Sequence, residues 1–505
     1  MCEHRNPHSP AMLTIRPSGH RRSPALTVAL PSQALMIIAA TVVVLVAAAI
    51  RPVVGAAGIG DPYFPLAGNA GYRITAYDIG LRYNPATDHI NGHTTITARA
   101  TESLSSFDLD LRLPASAVVV NGHRARFVQD NGKLKITPVA PIVFGSAITV
   151  AVDYAGVPSS ISASADTDSP WVRTDDGAVA VGEPAIAAWW YPCNDHPSDK
   201  ATYTVTAVVP AGLQAISNGV LLAGPQHTGP GLDLWRWQET EPMATYLAFI
   251  AIGHYDLVRR DTPYGPYLAA YAQAVDRQIP GARASIEQTP QIIGYLTAIF
   301  GPYPFHQLGG VVPNTRKLFF SLETQTRPVY AEAYFATSTN ITVVVHELAH
   351  QWFGDSVSLR RWSDIWLNEG FATYAEWLYD QDHGGLTTTQ RAELVYANHP
   401  ADDAYWHIPP ADPTAATVLD PAVYSRGAMA LQAFRTEVGD KAFFTTLRSW
   451  TAEHSHANGS VHEFLALLTR ISGHNIQELA RSWLYTPTRP HCSPTTSCIS
   501  PVAPH

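Results

Sequence analysis

The chain has 505 residues, 46% of them hydrophobic and 15% charged, which suggests two or three domains with real cores. A formal net charge of −9 argues against a nucleic-acid partner, which would want a basic face. Four cysteines are too few for a disulfide scaffold, and no internal repeat or low-complexity tract is present.

Residues 1–33 carry Arg5, Arg16, Arg21 and Arg22 with no acid after Glu3, and read as a basic cytoplasmic tail. Ala34 to Ile50 then runs for seventeen residues without a charge, near the lower limit for a bilayer-spanning helix. By the positive-inside rule the rest of the chain lies outside the cytoplasm. Arg51 and Pro52, directly after the apolar run, favour an uncleaved membrane anchor; the alternative is a signal peptide cleaved near the small residues Gly55 and Ala57, giving a secreted protein. Residues 51–71 read as a linker.

Residues 72–258 read as an antiparallel β domain, a curved sheet or sandwich. Period-two stretches run through Thr94–Thr101, Ala147–Tyr154 and Thr202–Val209. Asn-Gly pairs, a strong hairpin signal, stand at 91–92, 121–122, 131–132 and 218–219.

Residues 259–490 change texture. A helical stretch near Ala282–Phe300 precedes a short β region at Leu308–Gln325. Apolar faces at three- and four-residue spacing then predict helices over Thr339–Phe353, Leu367–Tyr379, Ser425–Val438, Lys441–Glu453 and Val461–Ile471. The Pro- and Ser-rich tail, residues 491–505, holds Cys492 and Cys498, which would pair in an oxidising compartment. Cys193 reads as a buried small residue.

One stretch carries chemistry. In "VVVHELAHQWFGD", His346 and His350 are four apart, so on a helix both imidazoles leave one face at neighbouring turns. They can share one zinc ion. Glu347, rotated ~100° round the helix from His346, stands near the metal's open side rather than among its ligands. Glu369, nineteen residues after His350, opens the next predicted helix and can supply the third ligand. Two neutral imidazoles and one carboxylate leave a fourth position for water, as in catalytic rather than structural zinc sites. Glu376, Asp355 and Asp364 are candidates to orient the ligand imidazoles through their other ring nitrogens.

"HELAHQWFGD" followed by "WLNEGFATY" resembles the aminopeptidase-N-like (gluzincin) family of zinc metallopeptidases. "GEPAIAAWWYPCNDHPSDKATYTV" at Gly182–Val205 and "VYSRGAMAL" at Val423–Leu431 are similar to further segments of that family. The resemblance implies a thermolysin-like, mostly helical catalytic domain after the β domain, with one zinc per chain held by His346, His350 and Glu369. It implies Glu347 as general base and Tyr424 as the hydroxyl that stabilises the oxyanion. It assigns the substrate's α-amine to Glu183 and Glu323. The family's Gly-Ala-Met-Glu-Asn motif is reduced here to Phe320–Thr324, of which only Glu323 is kept.

The implied activity is removal of N-terminal residues from peptide substrates. Endopeptidase or epoxide-hydrolase chemistry on the same site, or a non-catalytic zinc-containing peptide-binding module, are the alternatives.

Overall fold

The computed structural model describes residues 52–163 and 169–496. Its first layer is an eight-stranded sheet. The central strands are β1 (Tyr72–Asn84), β2 (His89–Ala100), β3 (Ala147–Gly156), β4 (Ala201–Pro210) and β5 (Leu232–Met243). They lie in the order β5-β4-β1-β2-β3, with Val220–Gly229 beyond β5 and Ala115–Val120 beyond β3. Burial alternates along β1 and β4, so the period-two pattern marks which face meets the core.

The sheet is mixed rather than antiparallel. β4 runs parallel to β1, from Thr202 opposite Ala76 to Val208 opposite Arg82. Between them the chain leaves to place Trp171–Arg173 and Ala178–Ala180 in a second, four-stranded sheet, which Gln214–Ser217 and Ile250–Gly253 complete after β4. An excursion of that length lets a strand return in either direction, whereas a two-residue hairpin forces antiparallel pairing.

Further along, β6 (Tyr255–Thr262) pairs antiparallel with β7 (Gly265–Ala272), which pairs parallel with β8 (Leu308–Val312). Because β6 pairs only with β7, the sheet pairing changes between Gly253 and Tyr255, a few residues ahead of the texture change seen in the sequence. After β8 the chain folds back on itself. Leu322 and Val329 exchange backbone hydrogen bonds of 2.8 and 2.9 Å, and Tyr330 N donates to Val311 O, which places Glu323 beside the small sheet's edge.

Among the helices of this half, four bear on the site: α1 (Ile341–Ala349), α2 (Trp366–Asp382), α3 (Pro421–Glu453) and α4 (Val461–Ser472). Helices α1, α3 and α4 begin where the side chains of Asn340, Asp420 and Ser460 accept the backbone N–H of Val343, Ala422 and Glu463 respectively. The two predicted helices at 425–438 and 441–453 are the two helical segments of α3, separated at the non-helical Gly439, whose φ of 78° suits glycine. Helix α2 is buried continuously from Trp366 to Ala375, so it forms the centre of this half. Gly370 on α2 meets Gly427 on α3, where a Cβ on the former would lie 3.1 Å from the latter's Cα. That close approach brings the start of α3, with Tyr424, against the start of α2, with Glu369.

The expected fold needs a second correction: the transmembrane segment expected with it is not found among the described residues. Among the described residues no helix is long and apolar enough to cross a membrane. They form a two-part fold of β sheets followed by a helical half, and give no support for membrane association. Residues 34–50, on which that expectation rested, lie outside the described residues. Cys498 also lies outside them, and with it the expected Cys492–Cys498 pair; Cys193 is buried and free.

Candidate metal centre and active-site cleft

The tripod forms where α1 and α2 meet. His346 Nε2 lies 3.3 Å and His350 Nε2 3.5 Å from the same Glu369 oxygen, Oε2. Donor atoms at the corners of a tetrahedron around zinc, each ~2.05 Å from it, would be about 3.3 Å apart. Both remaining ring nitrogens are occupied: His346 Nδ1 lies 2.5 Å from Glu376 Oε1, and His350 Nδ1 2.9 Å from the Phe353 carbonyl. These contacts fix each imidazole with Nε2 facing the shared point. The donor set therefore fits a zinc ion with a free fourth position.

Of the three candidate orienting acids, the structure brings only Glu376 to a ligand. Asp355 accepts from Gln351, and Asp364 accepts from the backbone of Val461. Replacing Glu376 by alanine is expected to weaken zinc binding 10–100-fold (roughly, from comparable orienting partners). Competition against a chelator of known affinity measures this, and an unaltered affinity would remove the assignment.

Charges in the site oppose one another. Burial acts to raise Glu369, but His350 and His346 overcome it and hold the carboxyl at about 2. Burial pushes Glu347 up to about 8, against the pull of His346 and His350. A cation held beside Glu347 would draw it back down.

The tripod opens into a cleft of about 570 Å³, which Glu183, Phe320, Glu323, Tyr334, Glu347 and Tyr424 also line. Glu323 is buried and accepts a 3.0 Å hydrogen bond from the Tyr246 hydroxyl. Glu183 has a buried oxygen, Oε1, with no hydrogen-bond partner among the described residues. Burial raises its carboxyl well above the usual range, and Glu323 and Glu369 raise it further. The Tyr424 ring stacks on His346, with centroids 6.0 Å apart and planes inclined by 19°. Phe320 remains 41% exposed at the cleft, so its ring stands at the rim and leaves the interior open.

Residues 74–247 match the peptidase M1 N-terminal domain and residues 327–483 the peptidase family M1 domain. The fold superposes on a crystal structure of a mutant M1 zinc metallopeptidase from Deinococcus radiodurans with a TM-score of 0.76. That pair is 32% identical, over 86% of this chain and all of that one. The chain belongs to peptidase family M1.

Among curated M1 relatives, aminopeptidase M1 of Arabidopsis thaliana is 29% identical over 330 residues, 61% of this chain and 36% of that protein. Glutamyl aminopeptidase of Bos taurus is 28% identical over 62% of this chain and 34% of that protein. The chain thus matches about a third of the length of these relatives.

Four residues of this M1 peptidase site carried no legible signal in the sequence. Tyr246 reaches Glu323 from the β half, while Gln351 and Asn368 each follow or precede a tripod residue and turn away from the cleft. Tyr334 joins the cleft from a 3₁₀ turn at Glu332–Phe335. The adjacency of Gln351 to His350 and of Asn368 to Glu369 was the only available hint.

Proposed function

We propose that the protein is a zinc aminopeptidase that hydrolyses the first peptide bond of peptides with a free N-terminus. The observation that carries this reading is the pair Glu183 and Glu323 beside the tripod: Glu323 is buried, and half-buried Glu183 has a buried, unpartnered oxygen and a proton affinity that Glu323 raises. Such a pair lacks a cation. A substrate α-amine, protonated over much of the neutral range with pKa ~7.7–8.0, supplies one. Pairing there registers the first peptide bond against the tripod.

A zinc ion held by His346, His350 and Glu369 would lower the pKa of a bound water from 15.7 toward ~7 and polarise the peptide carbonyl. Glu347 takes up the proton that water loses and returns it to the leaving amine. The Tyr424 hydroxyl donates to the oxygen on which charge develops. Its location is suited to this: burial keeps the phenol protonated, and the surrounding carboxylates reinforce that. Names of relatives support the reading, since those above are aminopeptidases and the Deinococcus radiodurans enzyme has been crystallised with a Tyr-Ser-Ala substrate.

The test compares reporters with a free amine against their N-acetyl forms, with and without a chelator. Free-amine reporters are expected to be cleaved at least ~100-fold faster, with activity lost on chelation and regained with zinc. Equal cleavage of both forms would replace this reading with an endopeptidase.

A further inference from the structure

Glu323 is held by groups that do not themselves line the cleft. The Tyr246 hydroxyl donates to its carboxylate at 3.0 Å, and Asn368 Nδ2 donates in turn to that hydroxyl at 3.5 Å. Because the asparagine side contributes a donor, the phenolic proton is left to point at Glu323. Gln351 Nε2 donates to the Glu323 carbonyl at 3.1 Å, and Gln351 Oε1 accepts from Thr326 N at 2.8 Å. Asn368 adjoins Glu369 and Gln351 adjoins His350, so a neighbour of each of two tripod residues bears on Glu323, Gln351 directly and Asn368 through Tyr246. All four side chains are buried. The Tyr246 ring packs edge-on against Trp362, with centroids 5.5 Å apart, which leaves the hydroxyl little freedom.

We propose that Tyr246 is a positioning residue: with Asn368 behind it, it sets the distance between the Glu323 carboxylate and the metal tripod, and so makes a free α-amine a condition of cleavage. The proposal rests on the aminopeptidase reading above. The physical reason is geometric. A carboxylate with a single donor on one oxygen keeps the other directed outward, whereas without that donor it rotates among orientations that no longer register the amine over the scissile bond. A substrate held loosely at its amine loses affinity before it loses reactivity, and one without an amine loses nothing.

The experiment is a double-mutant cycle of Tyr246→Phe and Glu323→Gln on the zinc-loaded enzyme, read with free-amine and N-acetyl reporters. Tyr246→Phe is expected to raise KM for the free-amine reporter about tenfold with a smaller change in kcat. The free-over-acetyl preference should fall by a similar factor, at one zinc per chain. In the Glu323→Gln background the same change should have no further effect, because the hydroxyl acts through that carboxylate. Unaltered preference in Tyr246→Phe, or losses that multiply in the double variant, would overturn the proposal. If Tyr246→Phe holds less than one zinc, Asn368→Ala decides the matter, since it removes the second donor and leaves the ring. The same drop in preference supports positioning, and an unaltered preference rejects it. A wild-type enzyme without any preference rejects the aminopeptidase reading and the proposal with it.

Discussion

Glutamine in place of Glu347 is expected to cut turnover at least ~10²-fold while zinc stays bound at one per chain, the usual worth of a general base. The separation of these two effects follows from the site. His346, His350 and Glu369 form one set of atoms that could hold a metal; Glu323, Glu347 and His350 form a second. The first set is favoured because both imidazoles are turned toward Glu369 by partners on their other nitrogens. In the second set only one imidazole takes part. Glutamine matches glutamate in shape, removes a buried charge, and relieves repulsion from Glu323 and Glu369. Folding stability should therefore not fall. Turnover and metal content on the same preparation check the prediction, and loss of zinc would make Glu347 a ligand rather than a base.

A second large effect is expected from Glu369→Ala: zinc affinity should drop by ~100-fold or more, because the tripod loses its anionic member. The metal-free protein offers an independent check through pH. Burial acts to lower His350, but Glu369 and Glu323 overcome it and raise the imidazole to about 9. A raised cation pKa stabilises the fold fully below its unfolded value, ~6.5, and that contribution is lost as pH rises through about 9. Glu369, depressed to about 2, contributes above ~4.5 and loses that contribution as pH falls. In the metal-free protein the contribution of the His350–Glu369 pair should be fullest between ~4.5 and ~6.5, so the stability difference between wild type and Glu369→Ala should peak in that window and shrink on both sides of it. Zinc needs the imidazoles neutral, so its affinity should climb between about pH 6.5 and 9. Denaturant midpoints of both chelated proteins across this range measure the first effect; a difference between them that does not vary with pH would contradict it.

The limits of sequence reasoning are visible in particular residues. Of the four Asn-Gly pairs within residues 72–258, 121–122 and 131–132 form tight turns, with both residues at positive φ. The pair at 91–92 instead lies inside β2, and the hairpin turns at Pro85–Asp88. Gly92 is there because the Tyr154 ring covers it: a Cβ would fall 2.1 Å from that ring. Asn218 is used differently again, donating to the carbonyls of Leu247 and Gln325 and so tying the β half to the Glu323 loop. Nothing local distinguishes these cases, since each depends on a residue distant in the chain.

The helix carrying His346, Glu347 and His350 was legible because a four-residue spacing on a 3.6-residue turn is a local fact, independent of what packs around it. The same holds for the capped helix starts and the alternating strands. Tertiary structure alone decided that Glu376 rather than Asp355 or Asp364 meets His346, that β4 enters parallel to β1, and that a tyrosine from the β half directs Glu323. Those outcomes depend on where α1, α2 and the sheets come to rest, and that is set by burial summed over the whole chain. Periodicity specifies a face; only packing specifies which distant residue that face will meet.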